Sequence, residues 1–146
     1  MLAYHSHHMQ TLASRYQEAL EQMGSSHLDV DTQCKMYSSV TGLALTRQDC
    51  TPSYWSCNMT STVRFYPAIE KMLEDFPDLT TGVEVGPHPA LKGPTTECLR
   101  TLGRNNVEYF HTCSRVSQFP VSPNYFRLFY ECSNKCNFLV IRERQC

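Results

Sequence analysis

The sequence predicts an α/β layer in which helices cover a mostly parallel sheet, with the sheet left incomplete. Three observations carry that expectation. Apolar residues recur at helical spacing in separate segments, short β-branched or aromatic runs fall between them, and the connections are short and marked by Gly and Pro. About three strands are legible, against roughly five or six in a typical sheet.

The elements follow in chain order. Met9, Leu12, Tyr16, Leu20 and Met23 keep the helical period, Ser6 stands where a helix is capped, and Gly24 stands where one ends. An amphipathic helix of about four turns is expected there. Residues 25–35 are polar and loop-like, and Met36 to Leu45 reads as a short β-branched strand followed by a Gly-containing turn. Gln48 to Thr62, holding Pro52, Tyr54 and Trp55, reads as irregular. From Val63 to Phe76 the positions Phe65, Ile69, Met72, Leu73 and Phe76 again lie on one helical face, and Pro77 stops the run.

Val83-Glu84-Val85 is a short strand that enters the turn Gly86-Pro87-His88-Pro89 and feeds a helix, whose first turn suits Pro89. Gly93-Pro94 reads as an interruption after which the helix restarts, with Leu99 and Leu102 continuing its apolar face up to Gly103. Val107 to His111 reads as one more strand. Beyond Arg115 no periodicity emerges: Phe119 to Pro123 is turn-like, and Tyr125 to Tyr130 is an apolar run with no partner element.

Composition narrows the function classes. The 146 residues are 41% hydrophobic and 18% charged with a net charge of −1, which gives no electrostatic case for nucleic acid or a membrane surface as a partner. No run of about 18 apolar residues is present. The start MLAYHSHHMQ lacks the basic and apolar regions of a secretory signal, so the expected location is cytoplasmic. The eight cysteines show no regular spacing and read as free thiols rather than a disulfide framework. The glycosylation triplet Asn58-Met59-Thr60 matters only in a secreted chain.

Charge divides the chain unevenly. Residues 1–115 hold nine Lys/Arg against twelve Asp/Glu, whereas residues 116–146 hold four against two. The latter stretch also carries six of the sixteen aromatics and three of the eight cysteines.

Four blocks carry the functional signal: Ala3-Tyr4-His5-Ser6-His7-His8-Met9 directly before a helix; Tyr54-Trp55-Ser56-Cys57-Asn58-Met59 with Val63-Arg64-Phe65; Val83 to Leu91 (VEVGPHPAL); and Tyr109 to Arg115 (YFHTCSR). In this order and spacing they resemble the malonyl-CoA:acyl carrier protein acyltransferase domain of fungal iterative highly reducing type I polyketide synthases, over about residues 3–115. The resemblance implies the C-terminal part of the α/β-hydrolase-like large subdomain of that domain. It also implies Ser/His acyl transfer, in which a serine takes malonyl from coenzyme A as an ester and passes it to the phosphopantetheine thiol of an acyl carrier protein. Acyl-CoA and carrier protein are thus the implied partners, and no cofactor is bound directly.

In that family the histidine at the position of His5 is the general base, and a backbone carbonyl helps orient its ring. Neutral imidazole near pH 7 suits the task because it can take the hydroxyl proton and later return it to the leaving thiolate. Asn58 and Arg64 are candidates for holding that histidine or the substrate. The turn from Gly86 to Pro89 is expected to shape the floor of the site, with His88 a structural turn residue rather than a second base, and a candidate for binding substrate or orienting the histidine. His7 and His8 flank the base.

The sequence departs from the family at the nucleophile. No G-x-S-x-G elbow occurs, and Gly24-Ser25-Ser26 lacks both the second glycine and the strand-turn-helix context. In the family the elbow and the arginine that grips the malonyl carboxylate lie upstream of the histidine. The expectation is therefore a C-terminal acyltransferase fragment, silent alone because the triad logic fails without a nucleophile. Two other classes remain: a noncatalytic interaction protein that docks on synthase or carrier domains, and a small secreted Cys-rich protein.

Bland readings stand beside these. His5, His7 and His8 form no expected metal site, since neighbouring histidines on a helix rarely converge on one ion, and Cys132 and Cys136 make a weak pair. Met9, Leu12 and Tyr16 read as core, and Trp55 as a packed anchor beside the cleft. Residues 1–115 are expected to form a partial acyltransferase domain and 116–146 a tail of unrelated or irregular sequence, such as translated intron.

Overall fold

Ser6 and Gly24 bound the first helix in a computed structural model that describes residues 5–24, 35–112 and 138–142. The chain divides into two units, Met1–Met72 and Leu73–Cys146.

In the first unit a 3-10 turn at His7–Met9 leads into α1 (Gln10–Met23). Ser6 caps through its backbone, not its hydroxyl: its carbonyl accepts the Met9 N–H at 3.1 Å. Gly24 ends α1 at φ 67°, a left-handed conformation that costs glycine little. The stripe expected as core is only partly so. Met9 is 2% exposed, but Leu12 is 40% and Met23 80% exposed. At about 100° per residue, Leu12, Ala19 and Met23 form a strip beside the face of Met9, Tyr16 and Leu20, so the apolar arc is wider than the surface that covers it.

Met36 to Leu45 is a hairpin rather than one strand. β1 (Met36–Tyr37) and β2 (Ala44–Leu45) pair antiparallel around a turn built on Ser38. The buried Ser38 hydroxyl oxygen accepts the N–H groups of Val40 and Thr41 at 3.0 and 3.1 Å and the Tyr54 hydroxyl at 2.9 Å. These local bonds turn the chain before a longer ladder can form. Gly42 closes the turn at φ 78°, and a Cβ there would stand 2.8 Å from the Pro67 Cβ.

The segment expected to be irregular contains a second helix, α2 (Pro52–Thr60). Its start signal is Thr51, whose side chain accepts the Tyr54 N–H at 3.2 Å, followed by Pro52 in the first turn. α2 packs on α1, and the buried Ser56 hydroxyl donates to the Ala13 carbonyl at 3.2 Å. Before α2 lies a short 3-10 turn, Arg47–Asp49, with a reciprocal Thr46–Asp49 capping box. Helix α3 (Phe65–Asp75) follows as expected, with Ala68, Ile69, Met72 and Leu73 buried.

The second unit holds a three-stranded parallel sheet in the order β4-β3-β5, from β3 (Thr81–Val85), β4 (Glu108–His111) and β5 (Phe138–Arg142). Helix α4 (Lys92–Thr101) connects β3 to β4, buries Thr95, Cys98 and Leu99, and ends before Gly103 at φ 68°. Gly93-Pro94 does not interrupt this helix. α4 starts at Lys92, so Pro94 sits in the first turn, where a missing N–H has no intrahelical partner to lose, and Pro89 lies ahead of the helix. Arg104 fastens the loop before β3 by donating to the carbonyls of Pro77 and Leu79 at 2.5 and 3.1 Å.

β5 pairs along the whole of β3, from Thr81 opposite Phe138 to Val85 opposite Arg142, in a stretch where the sequence reading places no element. The turn-like Phe119 to Pro123 and the apolar run Tyr125 to Tyr130 lie outside the described residues. No helix among the described residues is long and apolar enough to cross a membrane.

Candidate active site

His5 stands exposed immediately before the 3-10 turn, with φ at +59°, the one non-glycine residue with positive φ among the described residues. Its backbone N–H donates to the Met59 carbonyl at 2.9 Å. That carbonyl lies in the last turn of α2, where helix carbonyls have no intrahelical donor, so the bond satisfies an orphan acceptor while fixing the histidine. A left-handed conformation costs a side-chain-bearing residue on the order of 1–3 kcal/mol, and such strain clusters at functional sites.

Asn58 precedes Met59 on α2 and is half-buried, so the sequence blocks around His5 and Asn58 meet through the backbone. Trp55, one turn earlier, is half-buried and edge-on to Tyr54, with ring centroids 4.9 Å apart. Arg64 follows α2; its N–H donates to the Ser39 carbonyl at 2.6 Å, while its exposed side chain makes no hydrogen bond or ion pair with a described residue. The rings of His7 and His8 touch at a tilt of 41° with centroids 3.9 Å apart, and no group of three or more His, Cys, Asp or Glu among the described residues is arranged to hold a metal ion.

His88 belongs to the second unit, in the turn at the carboxyl end of β3, the end at which open α/β sheets bind ligands. The residue is half-buried, and its buried Nδ1 has no hydrogen-bond partner among the described residues. The rest of the turn is well tied. Thr112 exchanges bonds with Gly86, accepting its N–H and donating to its carbonyl, each at 3.2 Å, and the Thr112 N–H donates to the Glu84 carbonyl at 3.0 Å.

Sequence reasoning passed over Glu84. It is fully buried in the central strand, with Oε1 accepting the Leu91 N–H at 3.1 Å and Oε2 accepting the Tyr109 hydroxyl. The signal was present as an acid between two valines in a strand expected to be apolar. Among the described cysteines, Cys50, Cys57 and Cys98 are free, and burial pushes the Cys98 thiol up, away from the reactive thiolate.

The chain, with its incomplete parallel sheet in the second unit, shares its fold with acyltransferases. The chain aligns with a loading acyltransferase of the avermectin modular polyketide synthase at a TM-score of 0.65 and 27% identity, covering 90% of this chain and 37% of that one. It aligns with a malonyl CoA-acyl carrier protein transacylase from Clostridium perfringens at 0.63 and 20% identity, covering 90% and 38%.

In sequence the chain is similar to fungal highly reducing polyketide synthases and hybrid PKS-NRPS synthetases, and in fold to solved acyltransferases. It is 41% identical over 116 residues to a hybrid PKS-NRPS synthetase of Aspergillus violaceofuscus, matching 77% of this chain and 3% of the synthetase. It is 37% identical over 131 residues to a highly reducing polyketide synthase of Preussia isomera, matching 82% and 6%, and 46% identical over 114 residues to one of Penicillium crustosum, matching 70% and 4%. The chain therefore spans a few per cent of the length of these synthases and little more than a third of the solved acyltransferases. No protein-family model matches it.

Proposed function

We propose that this chain is the histidine-bearing part of an acyltransferase that moves malonyl from coenzyme A to the phosphopantetheine thiol of an acyl carrier protein. The observation that carries the reading is the held, strained His5, directly ahead of α1 in a chain whose homologues are polyketide synthases. His5 is the general base. Its imidazole takes the proton of a serine hydroxyl as the oxygen attacks the thioester carbonyl, then gives that proton to the departing coenzyme A thiolate. In the second half it takes the proton of the carrier thiol, which attacks the seryl ester, and returns it to the serine oxygen.

The serine comes from sequence outside these 146 residues, because no G-x-S-x-G occurs in them. Asn58 helps hold the histidine, the exposed Arg64 offers its guanidinium to an anionic substrate, and His88 is a substrate contact. A reaction on coenzyme A thioesters and carrier proteins fits a cytoplasmic location. A boundary near Arg115, after which the charge balance reverses, belongs to the same proposal, and a contiguous spliced message across that codon would remove the tail's separate origin.

The test is to mix the chain with a separately produced upstream acyltransferase segment bearing G-H-S-x-G, labelled malonyl-CoA and carrier protein. Transfer is expected from the mixture and not from the chain alone. A His5-dependent acyl-enzyme on the isolated chain, or full transfer with His5→Ala, overturns the reading. Carrier binding without turnover in the mixture favours a noncatalytic docking role.

A further inference from the structure

We propose that Glu84 is the positioning residue of the Gly86 to Pro89 turn, its buried carboxylate fixing the start of α4 and thereby the imidazole of His88. Only the purpose of this clamp rests on the reading of His88 given above; the clamp itself stands on geometry.

Helix α4 has no cap of its own, because Leu91 occupies the N-cap position and has no side-chain oxygen. Glu84 supplies the missing acceptor from the neighbouring strand by taking the Leu91 N–H at 3.1 Å. A capping-box glutamate does the same from inside a helix, and a carboxylate at a helix start is also favoured by the helix dipole. The second carboxylate oxygen accepts the Tyr109 hydroxyl. Register explains how the tyrosine reaches it. Tyr109 lies opposite Gly82, two residues before Glu84 on the same face, and glycine leaves that face open for the ring to lean diagonally across.

A buried acid is not what stability alone would select at the centre of a sheet, where a packed apolar side chain does as well or better. Among the described residues Glu84 has no cationic partner, only two directional donors, one on each neighbouring element. With the Thr112 bonds to Gly86, and the Ala90 N–H donating to the His88 carbonyl at 2.8 Å, the turn's backbone is fastened on both sides of His88. Among the described residues His88 Nδ1 is left without a partner, a ring nitrogen on a turn fastened at both sides.

The experiment is amide hydrogen exchange together with nitrogen NMR of the histidine rings on the full chain. Glu84→Leu removes both acceptors, and the Leu91 amide is expected to exchange at least about tenfold faster, relative to Leu99 in the same helix, with the His88 ring signals displaced. Glu84→Gln keeps an oxygen for Leu91 and is expected to keep its protection. Acceleration of Leu91 and Leu99 by the same factor, or an unmoved His88 signal, overturns the proposal. Where Glu84→Leu does not fold, Tyr109→Phe carries the test: freeing one carboxylate oxygen speeds Leu91 exchange severalfold, and an unchanged rate overturns the clamp. Absent acyl transfer in the reconstituted mixture, with these responses intact, counts against the proposed activity and leaves the clamp standing.

Discussion

The backbone N–H of His5 is bonded to the carbonyl of Met59 at 2.9 Å while His5 itself sits at φ +59°. The bond joins the residue ahead of α1 to the last turn of α2, so the packing of the two helices on each other holds a conformation that the isolated tripeptide would leave. Because the side chain of His5 is exposed, the strain is not offset by burial of the imidazole.

Stability and activity therefore separate at this position. His5→Gly removes the left-handed penalty and loses no buried side chain, so its urea midpoint is expected to rise, by up to about 1 kcal/mol in unfolding free energy. His5→Ala keeps the strain and is expected to match the parent chain. Both substitutions are expected to lower acyl transfer in the reconstituted mixture by about 10²–10⁴-fold, the usual scale for a lost general base. A lower midpoint for His5→Gly than for His5→Ala would show that the backbone there is unstrained.

Gly42 is required twice over. Its φ of 78° disfavours a side chain, and a Cβ would come within 2.8 Å of the Pro67 Cβ, too close for either atom to remain in place. Gly42→Ala is expected to destabilise the first unit by about 1–3 kcal/mol, combining strain with overpacking. Gly93, with nothing within 4 Å of its Cβ position and no positive φ, is the control, and Gly93→Ala should be neutral or stabilising. Denaturant titration of the two variants decides the matter, and equal midpoints would refute the close approach at Pro67.

The capping box before α2 gives a pH dependence with a definite sign. The Thr46 hydroxyl, at 2.6 Å, and then the Thr46 N–H, at 2.7 Å, hold the Asp49 carboxyl below its ordinary value. A carboxylate lowered in the folded state stabilises it above the unfolded value, about 3.9, and that contribution is lost as pH falls through the lower folded value. The Thr46 amide shift is expected to stay flat from about pH 8 to 5 and to move only below about pH 4. Asp49→Asn should abolish that acid step, and an acid step surviving in the variant would assign it to another group.

Much of the fold is legible in the sequence wherever periodicity and punctuation agree. Helix α3 ends against Pro77, and β3 and β4 are marked by Val83 to Val85 and by Tyr109 to His111. Helix α2 was missed because aromatic and β-branched residues obscure its period, although Thr51-Pro52 states its start plainly. The hairpin at Met36 to Leu45 was hidden because side-chain bonds to Ser38, and not an alternating pattern, make the turn. β5 is a run of Phe138, Leu139, Val140 and Ile141 whose partner lies more than fifty residues earlier, and no local pattern names such a partner. In the first unit a motif picks out His5 but not its bond to Met59, and in the second no local pattern announces the bonds of Glu84 to Leu91 and Tyr109, because these are tertiary contacts.

The uncovered strip of α1 sets the behaviour of the chain in solution. Leu12 at 40% and Met23 at 80% exposure flank Ala19 on one side of a helix whose other apolar face is covered by α2. Exposed apolar strips of this kind drive association, while single surface substitutions usually change stability by within about 0.5 kcal/mol. Leu12→Gln with Met23→Gln is therefore expected to reduce light scattering at high protein concentration and to leave the denaturant midpoint in place. The buried pair Ile69 and Met72 provides the contrast, since Ile69→Gln removes core and should lower the midpoint while raising scattering. Unchanged scattering in the double variant, measured at equal concentration and salt, would mean that association runs through another surface, such as the outer strands β4 and β5 of the described sheet.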